Sequence, residues 1–255
     1  MIKTSKGLNL PISGIPEAVV TDTPNVSSVS LLGNDFIGMK PTMMVKTGDS
    51  VKRGTKLFED KKNPGIYFTS PAGGIVKDIS RGDKRKFLSI EIEIAENEEA
   101  ELFEYQTNSD GYKKLLIDSG LWNAFRTRPF NRTPKVNSLP DAVFVNACDT
   151  NPLSIDPSFI IDQDKDYFTK GLEGLKNLFS CPIHCTYQNS NFDTNIDGIN
   201  YCQVSGPHPA GLSSTHISNI YPVNLARVVW TIGYQDIISL GYLLKNKTLR
   251  THKLI

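Results

Sequence analysis

The sequence predicts a two-part fold of mixed α/β class, α+β overall. A β barrel-sandwich hybrid of the biotinyl/lipoyl type is expected over residues 1–100, followed by a Rossmann-like α/β domain over residues 101–255. Three observations predict it. Residues 45–57 (VKTGDSVKRGTKL) and 69–76 (TSPAGGIV) are short apolar strands punctuated by turn residues, like the two halves of a small barrel. Leu88, Ile90, Ile92 and Ile94 alternate with Ser89, Glu91 and Glu93, the period-2 pattern of a half-buried strand. Beyond residue 110, helical spacing alternates with compact apolar runs, the grammar of helices packed on a parallel sheet.

Each element follows from local chemistry. Gly48-Asp49 and Arg53-Gly54 reverse the chain, Ser70-Pro71 ends a strand, and Gly73-Gly74 permits a tight corner before Ile75-Val76. In a carrier domain the modified lysine sits at the hairpin tip between the halves. Counting from Leu57 and Ser70 puts that tip at Asn63-Pro64, so Lys61 and Lys62 stand too early for a swinging arm. An unmodified module is expected, with a lipoyl- or biotin-type carrier as an alternative. The acidic run at 95–101 (AENEEAE) reads as a connector between domains.

In the second half, Asp110 is a candidate N-cap and Gly120 a helix stop, with Tyr112, Leu115 and Leu116 on one face between them. Residues 141–147 read as a strand. Pro157 behind Asp156 suits a first helical position, and Phe168, Leu172, Leu175, Leu178 and Phe179 mark a helix running to about 179. Strands follow around Ile183 and over 201–204. Asn224 then caps a long amphipathic stretch containing Leu225, Val228, Val229, Ile232, Ile237, Ile238 and Leu240. The last residues, 249–255, close on a β-prone apolar pair that has only begun, as in a chain whose natural end lies further on.

Composition narrows the function. Lys and Arg number 28 against 27 Asp and Glu, a net charge of +1, so no global field favours nucleic acid or an anionic membrane. No apolar run approaches the ~20 residues of a spanning helix, and the N-terminus has no signal-peptide core; a soluble, cytoplasmic protein is expected. Cys148, Cys181, Cys185 and Cys202 are then expected as free thiols of a reducing compartment. The segment 181–185 (CPIHC) brings thiols and an imidazole together. Its spacing lacks a second matched pair, and a strand over 180–187 would send alternate side chains to opposite faces, so no metal is expected.

Ligands of open α/β sheets bind beyond the carboxyl ends of the strands, where two polar loops are placed, 148–152 (CDTNP) and 205–211 (SGPHPAG). Asp149 either meets a ligand or closes an Asx turn. His208 and, further on, His216 either meet an anion or a quinone carbonyl or are satisfied structurally. A nucleotide-binding domain would place G-x-G-x-x-G after its first strand so that backbone N–H groups reach the phosphates. Residues 120–130 (GLWNAFRTRPF) put bulk there instead. Trp122 and Phe125 are read as core, Arg126 and Arg128 as a functional surface, and Phe130 as an apolar anchor. The loops 32–39, with Phe36 and Met39, and 128–132 are placed to line a cleft between the domains, a common ligand position.

Five segments, 33–42 (GNDFIGMKPT), 58–65 (FEDKKNPG), 120–130, 149–153 (DTNPL) and 206–216, together resemble the family of the A subunit of the bacterial Na+-translocating NADH:quinone reductase. The resemblance spans essentially the whole chain and the N-terminal half or so of that subunit. It implies a peripheral protein on the cytoplasmic side of the inner membrane, docked on the membrane-embedded B subunit and the other members of the complex. The complex passes electrons from NADH through flavins and iron–sulfur centres to ubiquinone while exporting Na+, and the isolated chain is expected to be inactive. The chain is also similar to the C subunit of the Rnf complex and to the flavin- and NADH-binding subunit of complex I. Those relatives carry a glycine-rich loop where this chain has Trp122 to Phe130, and an acidic Cys-Glu-Pro-type segment where it has Cys148-Asp149. The departure implies no bound cofactor and leaves ubiquinone as the substrate ligand to consider; a flavin- and NADH-binding dehydrogenase domain is the competing reading.

Overall fold

The computed structural model describes residues 1–21, 25–188 and 194–254. A two-residue strand, β1 (Ile2–Lys3), opens the chain and pairs with a strand of the second half. The first half is then built from β2 (Ser28–Leu32), β3 (Pro41–Met43), β4 (Ser50–Val51), β5 (Lys56–Asp60), β6 (Tyr67–Thr69), β7 (Gly74–Arg81) and β8 (Phe87–Ile94). These form a four-stranded sheet in the order β2-β8-β7-β4 and a three-stranded sheet β3-β5-β6, the two leaves of a barrel-sandwich. Leu57, Phe58, Phe68, Val76, Ile90 and Ile92 fill the space between them, with the Phe58 and Phe68 rings stacked at 4.7 Å.

One detail of the barrel differs from the expectation, and another bears it out. A bulge at the start of β8 leaves Leu88 between the pairs Arg81↔Phe87 and Ser80↔Ser89, so Phe87 takes the buried place and Leu88 is 40% exposed. The Gly73-Gly74 corner is required by space, since a Cβ on Gly74 would lie 1.9 Å from the Glu93 carbonyl oxygen.

The second half contains α1 (Ser109–Asp118), β9 (Arg126–Arg128), β10 (Ala142–Ala147), α2 (Pro157–Gln163), α3 (Lys165–Leu178), β11 (Ile183–Tyr187), β12 (Ile199–Ser205), α4 (Ser213–Ile220), β13 (Val229–Gly233) and α5 (Tyr234–Asn246). Asn108, two residues before Asp110, caps α1, accepting the Gly111 N–H at 2.8 Å. Gly120 stops that helix in the left-handed region at φ 78°. Asp156 and Pro157 start α2 as expected, but the helical stretch to 178 is two helices, broken at Asp164 (φ −123°, ψ 30°).

The stretch behind Asn224 is corrected more deeply. Residues 229–233 form a strand buried on both faces, which reads as a continuous apolar run rather than an alternation, and α5 begins only at Tyr234. Leu225 is fully exposed. The strand order is β1-β12-β11-β10-β13-β9, parallel throughout except for β9, which is antiparallel on the β13 edge. Val143 and Val145 of β10 join the core under α3 and α5, while Ala142 and Phe144 face Ile217 of α4. Helices therefore cover both faces.

Candidate functional site

The chain leaves β10 toward β11 on one side and returns to β13 on the other, so the connections diverge where these neighbours end. Such a switch point opens a crevice at the carboxyl end of a doubly wound sheet. A cavity of about 570 Å³ lies there, walled by Asn146, Ser213, Thr231, Gly233, Tyr234, Asp236, Arg250 and Lys253. Two of its cations are answered inside the protein: Arg250 lies 2.7 Å from Asp164, and Lys253 lies 2.5 Å from Asp236.

Arg126 is different. It reaches the same cavity from β9, and its guanidinium donates to the carbonyls of Asn123 and Phe125 (3.0 Å) and to the Thr133 hydroxyl (3.4 Å). Among the described residues no carboxylate forms an ion pair with it, and burial lowers its pKa from the ordinary arginine value. The Cys148 thiol also borders the crevice; burial pushes it up to about 12, so at neutral pH it is protonated and not a thiolate nucleophile.

The β10–α2 connection beside the crevice is not built as a phosphate cradle. The β10–α2 connection, 148–156, contains no glycine. Asp149 Oδ1 accepts the Asn151 N–H (2.8 Å) and its side-chain amide (2.7 Å), and Asp156 accepts the Ser158 N–H (2.9 Å). At the β13–α5 corner, Asp236 occupies the first turn of the helix. In the β10–α2 connection the Asn151 and Ser158 N–H groups are taken by Asp149 and Asp156, and carboxylates so placed repel a dianion.

A second cavity, of about 240 Å³, lies between the two halves. Phe36, Met39, Ile66 and Phe68 line it from the barrel, and Arg126, Arg132, Thr133 and Lys135 from the α/β side. The loops 32–39 and 128–132 thus meet across one cleft. Phe36 stands edge-on to Phe68 at 4.5 Å. The hairpin between β5 and β6 turns at residues 61–66, with Asn63 and Pro64 at its tip, and this tip is docked: Asn63 Nδ2 reaches the Pro134 carbonyl (3.5 Å), and Trp122 Nε1 donates to the same oxygen (3.0 Å). Lys62 is held over the neighbouring loop by donation to the Gly38 carbonyl (3.0 Å).

The two polar loops clasp each other beside the crevice. Thr150 Oγ1 accepts the Gly211 N–H (3.0 Å) and lies 3.1 Å from His208 Nδ1, while Asn146 Nδ2 donates to the Gly211 carbonyl (3.0 Å). Asp149 closes an Asx turn through Asn151 and borders a separate hollow near Ile15 and Pro16. His216 is fully buried, with Nε2 donating to the Ala210 carbonyl (2.7 Å) and Nδ1 2.9 Å from Thr186 Oγ1. Arg128 lines a shallow groove with Ile217 and Pro222, and Phe130 is 76% exposed. The structure therefore gathers Phe36, Met39 and Arg126 at one cleft, with Arg126 shared between cleft and crevice, and leaves Arg128, Phe130, Asp149, His208 and His216 apart from both. The crevice wall from Gly233 to Asp236, with Arg250 and Lys253, is absent from the sequence-derived candidates because the strand β13 was merged into an amphipathic stretch; the apolar run 228–232 before Gly233 was the available signal.

Comparison with known proteins agrees with this architecture. Residues 2–95 match the family described as "NqrA N-terminal barrel-sandwich hybrid domain", and residues 107–249 the family described as "NqrA second alpha/beta domain". A protein of Neisseria gonorrhoeae (strain NCCP11945), named as the A subunit of "Na(+)-translocating NADH-quinone reductase", is 46% identical over 263 residues, covering 100% of this chain and 59% of the relative. The proteins of that name from Photorhabdus laumondii subsp. laumondii and Glaesserella parasuis serovar 5 are 46% and 42% identical, with the same coverage. The chain thus spans 59% of the length of these relatives.

Proposed function

Because the chain belongs to the NqrA family, that of the A subunit of the Na(+)-translocating NADH-quinone reductase, we propose that it serves as a peripheral, flavin-free component of such a reductase. On this reading it supports electron transfer from NADH to ubiquinone coupled to Na+ export, from the cytoplasmic side of the membrane, held there by the membrane-embedded B subunit and its other partners. One observation supports the flavin-free part: the β10–α2 connection has no glycine, and its Asn151 and Ser158 N–H groups are taken by Asp149 and Asp156. Among the described residues no helix is long and apolar enough to cross a membrane, which accords with attachment through partners. The docked tip at Asn63 argues against a swinging carrier arm.

Ubiquinone is a neutral ligand whose two ring carbonyls accept hydrogen bonds. It suits the switch-point crevice, where Arg250 and Lys253 are already paired and Arg126 remains to donate. Titration of the full-length protein with FMN, NADH and a short-chain ubiquinone, read as thermal shifts, tests the proposal. A ligand present at about 100 times its dissociation constant stabilises by about 2.7 kcal/mol. The quinone is expected to shift the transition, and an Arg126→Gln variant to respond less. A shift with FMN or NADH instead would favour the dehydrogenase reading.

A further inference from the structure

The cleft between the barrel and the α/β domain has a charge balance unlike the crevice. Lys62, Arg126, Arg132 and Lys135 line it against Asp35 and Asp60, an excess of two positive charges, four minus two. Among the described residues none of the four cations forms an ion pair, although ten other ion pairs occur elsewhere on the chain. Asp60 does not answer them, since its Oδ1 accepts the backbone N–H groups of Lys40 and Lys62, both at 3.0 Å. The opposite wall is apolar, formed by Phe36, Met39, Ile66 and Phe68.

Lys62, Arg132 and Lys135 are exposed at the mouth and Arg126 is half-buried behind them, so like charges gather there without counter-charges and a bound anion relieves their repulsion. Arginine and lysine together suit phosphate oxygens, Arg as a bidentate fork and Lys as a point charge. A phosphomonoester carries about −1.5 to −2 at pH 7, which matches the excess of two. The ring of Phe36 and the thioether of Met39 give its organic part an apolar seat.

We propose that the cleft binds a phosphomonoester carried on a small apolar body, its phosphate on Lys62, Arg132 and Lys135 at the mouth and Arg126 behind. The volume of about 240 Å³ admits one ring or a short chain. Such a group comes either from a soluble phosphorylated compound or from the headgroup of a monoester lipid. The cleft shares Arg126 with the quinone crevice, so the variants that test it are at Lys62, Arg132, Lys135 and Phe36, which line the cleft alone.

Calorimetric titration of the full-length protein with phenyl phosphate, inorganic phosphate, anisole and short-chain phosphatidate tests it. Phenyl phosphate or phosphatidate is expected to bind with one site per chain, and which of the two binds more tightly names the source. Lys135→Gln and the triple variant K62Q/R132Q/K135Q are expected to weaken that binding, the triple by about tenfold or more, since each tenfold corresponds to about 1.4 kcal/mol. Phe36→Ala is expected to weaken phenyl phosphate and leave inorganic phosphate unchanged. Equal binding of anisole, equal binding of inorganic phosphate, no binding of either ester, or binding unaltered in Lys135→Gln, whose exposed side chain is dispensable for folding, would each overturn the proposal.

Discussion

The indole Nε1 of Trp122 donates to the carbonyl of Pro134 at 3.0 Å, and that same oxygen receives the side-chain amide of Asn63 from the barrel hairpin. One buried acceptor therefore ties the tip of the barrel to the α/β domain, and fixes the walls of the cleft on either side. Replacing Trp122 with Phe keeps much of the ring and its edge-on contacts with Phe125 and Trp230. It removes the donor and is expected to cost about 1–3 kcal/mol, the penalty for leaving a buried carbonyl poorly satisfied. Urea unfolding of the variant measures it.

The α3–α5 crossing depends on two glycines. A Cβ on Gly241 would stand 1.7 Å from the Tyr167 carbonyl oxygen, and one on Gly171 would stand 2.0 Å from that of Ile237. Both obstacles are backbone and cannot rotate away. Gly241→Ala is expected to destabilise by about 1–3 kcal/mol or more, as overpacking does, despite the better helix propensity of alanine. A fall in the denaturation midpoint checks this, and an unchanged midpoint would mean the helices separate freely.

Acid is expected to destabilise the α/β domain through two histidines. Burial lowers the pKa of His184 and of His216 from 6.5, the latter despite its bond to the Ala210 carbonyl. Above pH 6.5 both the folded and unfolded forms are neutral and nothing is gained or lost. Below it the unfolded chain binds protons that the folded chain refuses, so stability falls, at no more than about 1.4 kcal/mol per pH unit for each proton. His184 stacks on Phe144 at 4.8 Å and its buried Nε2 has no partner among the described residues. His184→Phe is expected to flatten the slope between pH 6.5 and 5 without loss of stability at pH 8, as followed by denaturation across that range.

Alkylation offers a check on the thiols. Burial raises both Cys148 and Cys185 far above neutral pH, so iodoacetamide at pH 7.5 is expected to spare them in the native protein. Peptide mapping after labelling, with and without urea, reads this directly. Modification of native Cys148 would show that the crevice opens more widely than its walls indicate.

Much of the architecture was legible because local chemistry and burial agree. The turns at Gly48 and Gly54, the Asp156-Pro157 start of α2 and the Gly120 stop each have one backbone solution. So do Trp122 and Phe125, whose bulk has nowhere to go but the core. Strand β13 was hidden because a strand buried on both faces loses its alternation and merges with the helix after it. The crevice was lost with it, since Gly233, Tyr234 and Asp236 gain meaning only at the end of a strand. His208 and His216 were legible as polar residues near strand ends, but whether a ring nitrogen faces a cavity or a carbonyl depends on tertiary packing. The cleft was half visible: its two loops were paired in the sequence, while the cations of the β5–β6 hairpin were weighed only as carrier lysines.

The central claim, a flavin-free and unmodified component of the reductase, is tested most directly on this chain separated from the intact complex. Intact mass and visible absorbance of the natively released protein are measured together. The account predicts the mass of the unmodified polypeptide and no flavin absorbance. A stoichiometric flavin, or added mass on Lys61 or Lys62, would contradict it.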